Sequence, residues 1–263
     1  MKKPPVVIVG VGEIGAELAL GWLRSGYPVY PVLRGIELEQ AAREYPEPAL
    51  VLIAVGEDDL HPVLAALPLK WQDRIALIQN ELMPRDWQKH GLENVSVAVV
   101  WFEKRPGKPR VDILDTPVYG PSALLLAQAL TRLGVPTRVL KDQQALLFEL
   151  AKKALYILTV NIAGLITGGT VGELWQKHRE FARQVVEEVL QVLELRAGCP
   201  LPREELILGM AAGIEDCPHR LCLGRRAKAR LARVFEEARQ AKIELPRLAG
   251  IGRLLEVSQA PAL

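Results

Sequence analysis

The chain has 263 residues, enough to bury one large hydrophobic core or two of ordinary size. Hydrophobic residues make up 49% of it, a normal proportion for a soluble globular protein. The formal net charge of +2 is too small to indicate a nucleic-acid partner, and the arginines of the last third alternate with glutamates, as on solvated helix faces.

The sequence predicts neither a leader peptide nor a membrane span. The apolar run near the amino terminus is interrupted by Gly10, Gly12 and Glu13, and no small-residue cleavage site follows it. The longest later apolar run, at about 154–166, is too short to cross a bilayer and contains Asn161. Three cysteines cannot all pair with one another, so we expect reduced thiols and a cytoplasmic protein.

The first part of the chain alternates short strands with short helices. A continuous β-branched run predicts a buried strand at 6–9, and an amphipathic pattern predicts a helix from Glu13 to Arg24. Pro31, within the second strand, indicates a position with little ladder bonding. Further strands are predicted at 29–33, 49–55 and 75–79, and further helices at 37–44 and about 60–67. This alternation is typical of a parallel, doubly wound Rossmann-like sheet.

The pattern changes after residue 80. Extended segments at 95–102 and 111–119 are joined by a turn at Pro106-Gly107, and a helix at about 122–133 and a strand at 137–140 follow. From Gln143 to Leu255 the sequence is helical, with predicted breaks at 168–169, at 198–202 and near Pro246. We therefore predict an α/β Rossmann-like domain over residues 1–141 and an all-helical domain over 142–263.

Three glycines lie between the first strand and the first helix, in the spacing Gly-x-Gly-x-x-Gly. The motif alone is a weak signal, and its position between a buried strand and an amphipathic helix makes it informative. There the first glycine permits a tight turn, the second lets the backbone approach a pyrophosphate, and the third lets the helix pack on the strand. We predict a dinucleotide site formed by Gly10, Val11, Gly12, Glu13, Ile14 and Gly15. The alternative is a glycine-rich turn that binds nothing.

Arg34 follows the second strand, where an NAD site normally has an acidic residue that holds the ribose hydroxyls. A carboxylate would repel a 2′-phosphate, whereas an arginine can bind it through two hydrogen bonds. We therefore predict NADPH as the cofactor; the alternative is that Arg34 is a surface arginine in a turn. Val55, Gly56 and Asn80 lie at the carboxyl ends of two later strands and complete the predicted cofactor site. Asn80 is also a candidate for substrate contact, with a simple turn former as its alternative.

The first helix of the second half carries Lys153 and Asn161, which lie about two turns apart on broadly the same side. A lysine at the edge of an apolar helix can have its pKa lowered by desolvation, which suits a proton donor. The alternative is a surface lysine whose stem covers apolar neighbours.

These residues resemble a known family. Ala151-Lys152-Lys153-Ala154, Asn161 and the later Gly172-Glu173-Leu174 are similar to the start of the helical domain of ketopantoate reductases, and the resemblance covers nearly the whole chain. It implies an NADPH-dependent reduction of a small 2-oxo acid, with ketopantoate, in pantothenate biosynthesis, as the specific candidate. It also implies that Lys153 is the catalytic lysine, which stabilises the developing alkoxide, and that Asn80 and Asn161 contact the substrate.

The sequence departs from the family pattern where the substrate is expected. The family's substrate-binding glutamate aligns with Arg226, and an arginine cannot accept a hydrogen bond from a substrate hydroxyl. Either Glu215, Asp216 or His219 replaces the glutamate, or the substrate differs. Arg220, Arg225 and Arg226 are candidates for binding a carboxylate instead, and the alternative is that each is a solvated charge. Further departures are Gly56 for a lysine, Glu81 for a glycine, Ile157 for an asparagine and Ile214 for a serine.

Other functions remain open. Cys217, His219 and Cys222 are metal-ligand residue types, but their spacing is not a standard zinc pattern, so we predict no metal site. We expect a small-molecule substrate and no nucleic-acid or membrane partner, and we leave a homodimer open. The alternative functions are another two-domain NADPH reductase, of the imine or pyrroline-carboxylate type, and a catalytically silent NADP(H)-binding protein.

Overall fold

The computed structural model describes residues 3–224 and 226–257, without the side chains of residues 256 and 257. The chain forms two compact units, Met1–Leu150 and Ala151–Leu263. Helix α6, Gln143–Thr167, belongs to both units because the division falls inside it. The predicted domain boundary, between residues 141 and 142, lies just before this helix begins.

The first unit is built on a mainly parallel sheet. The strands of the described chain are β1 Val6–Val9, β2 Val29–Val32, β3 Leu50–Ile53, β4 Ile75–Leu77, β5 Ser96–Ala98, β6 Phe102–Glu103, β7 Val111–Asp112, β8 Thr116–Tyr119 and β9 Thr137–Val139. Seven of them form one sheet in the order β2-β1-β3-β4-β5-β8-β9, in which only β5 and β8 pair antiparallel. β6 and β7 pair separately as an antiparallel hairpin.

The remaining elements are helices. The first unit contains α1 Glu13–Arg24, α2 Leu38–Glu44, α3 Glu57–Ala65, a 3-10 helix Leu69–Arg74, α4 Pro84–Gln88 and α5 Ala123–Arg132. After α6, the second unit contains α7 Val171–Lys177, α8 Arg179–Ala197, α9 Arg203–Asp216, α10 Ala227–Ala241 and α11 Pro246–Val257. The predicted fold class, a Rossmann-like sheet followed by an all-helical region, is confirmed.

The sheet core follows from the sequence pattern. The central strands β1 and β3 are buried on both faces, as their uninterrupted apolar runs predict. α1 covers one face of the sheet, where Leu18 and Trp22 are fully buried. β2 is one of the two edge strands, so Pro31 has a β1 neighbour on one side and solvent on the other, as its missing N–H requires.

Two sequence predictions were wrong in detail. The extended segments at 95–102 and 111–119 are each divided into two strands, because the chain leaves the main sheet to form the β6–β7 hairpin. The predicted helical run across residues 217–224 is also wrong, since α9 ends at Asp216 and this segment is irregular. Pro218 cannot continue the α9 backbone hydrogen bonds, which explains the break.

α6 is the one described helix that is long and apolar enough to cross a membrane by length and composition. However, 72% of its most apolar window is buried inside the protein. This burial is typical of a core helix rather than a lipid-facing one.

Candidate cofactor and substrate sites

The glycine turn after β1 has the geometry of a dinucleotide cradle. Gly10 has φ +89°, in the left-handed region, and a side-chain Cβ placed there would lie 2.9 Å from Val55 Cγ1. A Cβ at Gly15 would lie 2.5 Å from the Gly10 carbonyl oxygen. A Cβ at Gly12, by contrast, would meet no atom within 4 Å. Gly10 and Gly15 are therefore required for packing, while Gly12 faces open space that a bound phosphate can approach.

The amino terminus of α1 points its backbone amides at this space. Gly12 is the N-cap residue, in an extended conformation, and Glu13 lies in the first helical turn. The first amides of a helix have no intrahelical acceptor, and the helix dipole favours an anion there. Around them, the Glu13 carboxylate lies 3.9 Å from Lys104 Nζ, Ile14 packs against the core, and Val11 is exposed.

The cradle lies at the switch point of the sheet. β1 is flanked by β2 on one side and β3 on the other, so the connections diverge at its carboxyl end, where α/β sheets bind ligands. Val55 and Gly56 follow β3, and Gly56 caps α3. The structure thus brings the glycine turn and these two predicted residues to the same edge.

Asn80 lies at this edge too, after β4. Its Nδ2 donates to Glu57 Oε1 over 3.4 Å, in the first turn of α3. The neighbouring Gln79, which the sequence analysis did not single out, is buried and donates from Nε2 to the carbonyls of Ile53 (2.9 Å) and Val55 (3.2 Å). Gln79 therefore links the carboxyl end of β4 to that of β3 through hydrogen bonds, and this fixes the position of the neighbouring Asn80.

Arg34 follows β2 with a side chain that is 96% exposed. Its Nη2 lies 3.3 Å from Asp59 Oδ2, in the first turn of α3. Asp59 is a second residue that the sequence analysis missed, because it is 25 positions away and carries no local motif.

In the second unit, α6 buries both predicted residues. The Lys153 residue is only 4% exposed, so it is not a surface lysine. Asn161 is buried, and its amide is bonded at both ends: Nδ2 donates to the Cys222 carbonyl over 3.1 Å, and Oδ1 accepts from Arg230 Nη1 over 2.8 Å. These bonds give Asn161 a structural role, and its contact with substrate stays a prediction.

The irregular segment 217–224, here called the strap, is held against the start of α7. The Val171 amide donates to the Arg220 carbonyl (2.8 Å) and the Gly172 amide to the Pro218 carbonyl (2.9 Å). The Cys222 amide donates to the Gly169 carbonyl over 3.0 Å. Together with the bond from Asn161, these contacts fix the backbone of the strap on both sides of Arg220.

The Arg220 side chain is held in place as well. Its Nη1 donates to the Tyr156 hydroxyl over 2.8 Å, and its Cζ lies 5.8 Å from the centre of the Tyr156 ring. Tyr156 is 1% exposed, and burial raises the pKa of its hydroxyl, an effect that the Arg220 charge partly offsets. Arg220 itself is half-buried. A partly accessible guanidinium with a fixed orientation is suited to binding a carboxylate.

The other residues that the sequence analysis considered for the substrate site lie on α9, on the strap and at the start of α10. Arg226 is the N-cap residue of α10, and Arg225 lies outside the described residues. Glu215 and Asp216 end α9 and are exposed, His219 is exposed on the strap, and Ile214 is buried.

The three cysteines are free thiols. Burial raises the pKa of Cys222 to about 11, so this thiol is protonated at neutral pH. Within residues 3–224 and 226–257, no three His, Cys, Asp or Glu side chains are grouped so as to hold a metal ion.

Neither a protein-family model nor a curated protein matches the sequence. The structure nevertheless superposes on solved structures over nearly its whole length. A ketopantoate reductase from Ralstonia eutropha JMP134 matches with a TM-score of 0.67 at 18% identity, covering 96% of this chain and 97% of that one. The chain has the ketopantoate reductase fold. A dimeric ketopantoate reductase from Staphylococcus aureus matches with a TM-score of 0.63 at 16% identity, over 97% of this chain and 98% of that one.

A second kind of enzyme shares the fold. D-mandelate dehydrogenase, solved with NADH and anilino(oxo)acetate, matches with a TM-score of 0.65 at 14% identity, over 96% of this chain and 97% of that one. The ketopantoate reductase fold therefore occurs with more than one substrate among these neighbours. At such identities the likeness establishes the fold alone.

Alanine substitutions at two glycines of the cradle should affect cofactor binding and folding stability separately. Gly12→Ala is expected to leave Tm unchanged but to weaken NADPH binding at least tenfold, because its Cβ enters only the open space. Gly15→Ala is expected to lower Tm by roughly 2–8 °C, because its Cβ meets the Gly10 carbonyl. Calorimetric titration and thermal unfolding measure the two effects. An equal loss of Tm in both variants, or unchanged NADPH affinity in Gly12→Ala, would contradict this division of roles.

Proposed function

We propose that this chain is a nicotinamide-dependent reductase of a small 2-oxo acid, with NADPH as the preferred cofactor. The observation that carries the proposal is the cradle at the β1 switch point, in which Gly10 and Gly15 are packed and Gly12 is open. A glycine turn that bound nothing would have no need of this open space beside the amides of α1.

The residues present fit a dinucleotide. The amides of Gly12 to Gly15 would hold the pyrophosphate, and Arg34 would pair with the 2′-phosphate. Val55, Gly56 and Asn80 would border the nicotinamide side, at the ends of β3 and β4. NADPH, when bound there, supplies the hydride for reduction of the ketone.

In the mechanism we propose, Lys153 provides the positive charge and the proton. A ketone oxygen becomes negative as its carbon is reduced, and a cation in water-poor surroundings stabilises that charge more strongly than one in solvent. Lys153 is buried enough to act in this way and lies on the helix that resembles the catalytic helix of ketopantoate reductases. It would then pass its proton to the oxygen, giving the alcohol.

Arg220 supplies the group that we propose binds the substrate carboxylate. Its guanidinium is oriented by Tyr156, which lies three residues after Lys153 on α6. Residues three apart on a helix are neighbours. The strap thus presents a cation beside the helix that carries the proton donor.

A second candidate substrate has an apolar side chain. Ile157 and Ile214 replace polar residues of the family pattern, and Arg226 replaces its glutamate, so the groups that would bind a substrate hydroxyl are absent at those aligned positions. D-mandelate dehydrogenase shares the fold and is solved with NADH and an aryl-substituted oxo acid derivative. Phenylglyoxylate is therefore a second candidate beside ketopantoate.

Steady-state assays test the proposal directly. We expect oxidation of NADPH, and slower oxidation of NADH, with at least one of ketopantoate, phenylglyoxylate and 2-oxoisovalerate. Turnover only with cyclic imines would favour the imine reductase alternative. Tight NADPH binding without turnover of any substrate would favour a silent binding protein. A homodimer and a cytoplasmic location remain expectations, the former in line with the dimeric Staphylococcus aureus protein.

A further inference from the structure

The ion pair between Arg34 and Asp59 spans the predicted adenosine end of the cofactor site. Arg34 follows the edge strand β2, and Asp59 lies in the first turn of α3, which follows β3. Because β1 lies between β2 and β3, the pair extends across the carboxyl end of β1, where the glycine turn begins. The ribose next to the adenine of a dinucleotide binds at this place in a Rossmann sheet.

The surroundings leave the pair accessible to a ligand. Arg34 is 96% exposed and the Asp59 side chain is half exposed. The next residue, Gly35, has φ +90°, and a Cβ there would meet no atom within 4 Å. A hydrogen bond of 3.1 Å from the Ile36 amide to the Leu33 carbonyl holds this turn closed. Arg34 therefore stands on a fixed backbone beside open space.

Each member of the pair recognises a different ribose. A guanidinium binds the 2′-phosphate of NADPH, and a carboxylate accepts hydrogen bonds from the 2′-hydroxyl of NADH while it repels a phosphate. Rossmann sites normally present one of these groups after the second strand. Here the arginine follows β2 and the carboxylate lies in the first turn of α3, and Arg34 Nη2 is 3.3 Å from Asp59 Oδ2.

We propose that Asp59 sets the cofactor preference of this chain by competing with the 2′-phosphate for Arg34. This inference adds a determinant of cofactor preference to the proposed function, and it depends on the proposed dinucleotide site. With Asp59 present, a 2′-phosphate must displace a carboxylate from Arg34 and lie close to its negative charge, whereas NADH meets no such competition. The expected result is a chain that accepts both cofactors with a modest preference for NADPH.

Asp59→Asn tests this because it removes the charge and keeps the shape. Calorimetric titration at low salt is expected to show a three- to tenfold tighter Kd for NADPH, with the Kd for NADH changed less than twofold. The effect is modest because an exposed ion pair contributes little energy, and it should shrink as salt is added. Arg34→Gln removes the guanidinium, so adding Asp59→Asn to that variant should improve NADPH affinity by a smaller factor than adding it to the wild-type chain.

Asp58→Asn is the matched control. It removes the same charge from the neighbouring position of the same helical turn, on an exposed side chain. It is expected to leave the ratio of the two Kd values within twofold of wild type. An unchanged ratio in Asp59→Asn, or an equal change in Asp58→Asn, would overturn the role of Asp59. If the wild-type chain bound neither cofactor, the proposed function itself would be wrong and this proposal would fail with it.

Discussion

Lys153→Met is expected to lower kcat for 2-oxo acid reduction by about 10²–10³-fold and to change KM little. Lys153 lies on α6 and is 4% exposed, so its ammonium group would act where water screens charge poorly. Methionine fills a similar apolar volume without the charge, so the packing of α6 is kept. Steady-state kinetics with the best 2-oxo acid of the substrate panel measure the loss.

The neighbouring Lys152 provides a matched control. It is 9% exposed, and its stem packs closely on α9, since a Cβ at Gly209 would lie 2.6 Å from Lys152 Cδ. Lys152→Met therefore also removes a buried ammonium group from α6, and thermal unfolding should show a similar effect on stability. Only Lys153→Met should lose turnover. The catalytic assignment is wrong if Lys153→Met keeps more than a tenth of wild-type kcat, or if both variants lose equally.

The fold could be predicted because its signals are local. The buried run Val6–Val9 and the helical pattern Glu13–Arg24 have the bounds that the structure shows. The first is a short β-branched run, typical of a strand buried on both faces, and the second has the apolar stripe of an amphipathic helix. Pro31 indicated a position with little ladder bonding, and β2 indeed lies at an edge of the sheet, where it pairs with β1 on one side only.

The candidate site was only partly predictable because it depends on distant contacts. The glycine turn lies within six residues and was visible, but the Arg34–Asp59 pair joins residues 25 positions apart. The Arg220–Tyr156 bond joins residues 64 positions apart. No local pattern indicates such pairs.

The helical spacing on α6 was also an incomplete guide. It predicted that Lys153 and Asn161 share a side, and both side chains are buried. It could not indicate that the Asn161 amide holds the strap through Cys222 and receives a bond from Arg230. The sequence analysis wrongly predicted a helix across the strap, whose course is set by its bonds to the start of α7.

Arg220→Gln is expected to raise KM for the 2-oxo acid about 10–100-fold with less than a threefold change in kcat. A charge-assisted hydrogen bond to the substrate carboxylate would be lost in the ground state and the transition state alike, which raises KM rather than lowering kcat. Glutamine is two bonds shorter than arginine and loses the contact of Nη1 with the Tyr156 hydroxyl, but the backbone bonds from Val171, Gly172 and Cys222 still hold the strap. Tyr156→Phe, which removes only the hydroxyl that orients Arg220, should raise KM by a smaller factor, about three- to fivefold.

The ester of the same 2-oxo acid distinguishes carboxylate binding from a structural role, because it keeps the ketone and loses the negative charge. Wild-type protein should reduce the ester with a higher KM than the acid, and Arg220→Gln should reduce the ester about as well as wild type does. If Arg220→Gln raised KM for the ester as much as for the acid, Arg220 would be acting through the fold of the strap. The carboxylate would then need another cation, for which Arg226 at the start of α10 is the next candidate to substitute.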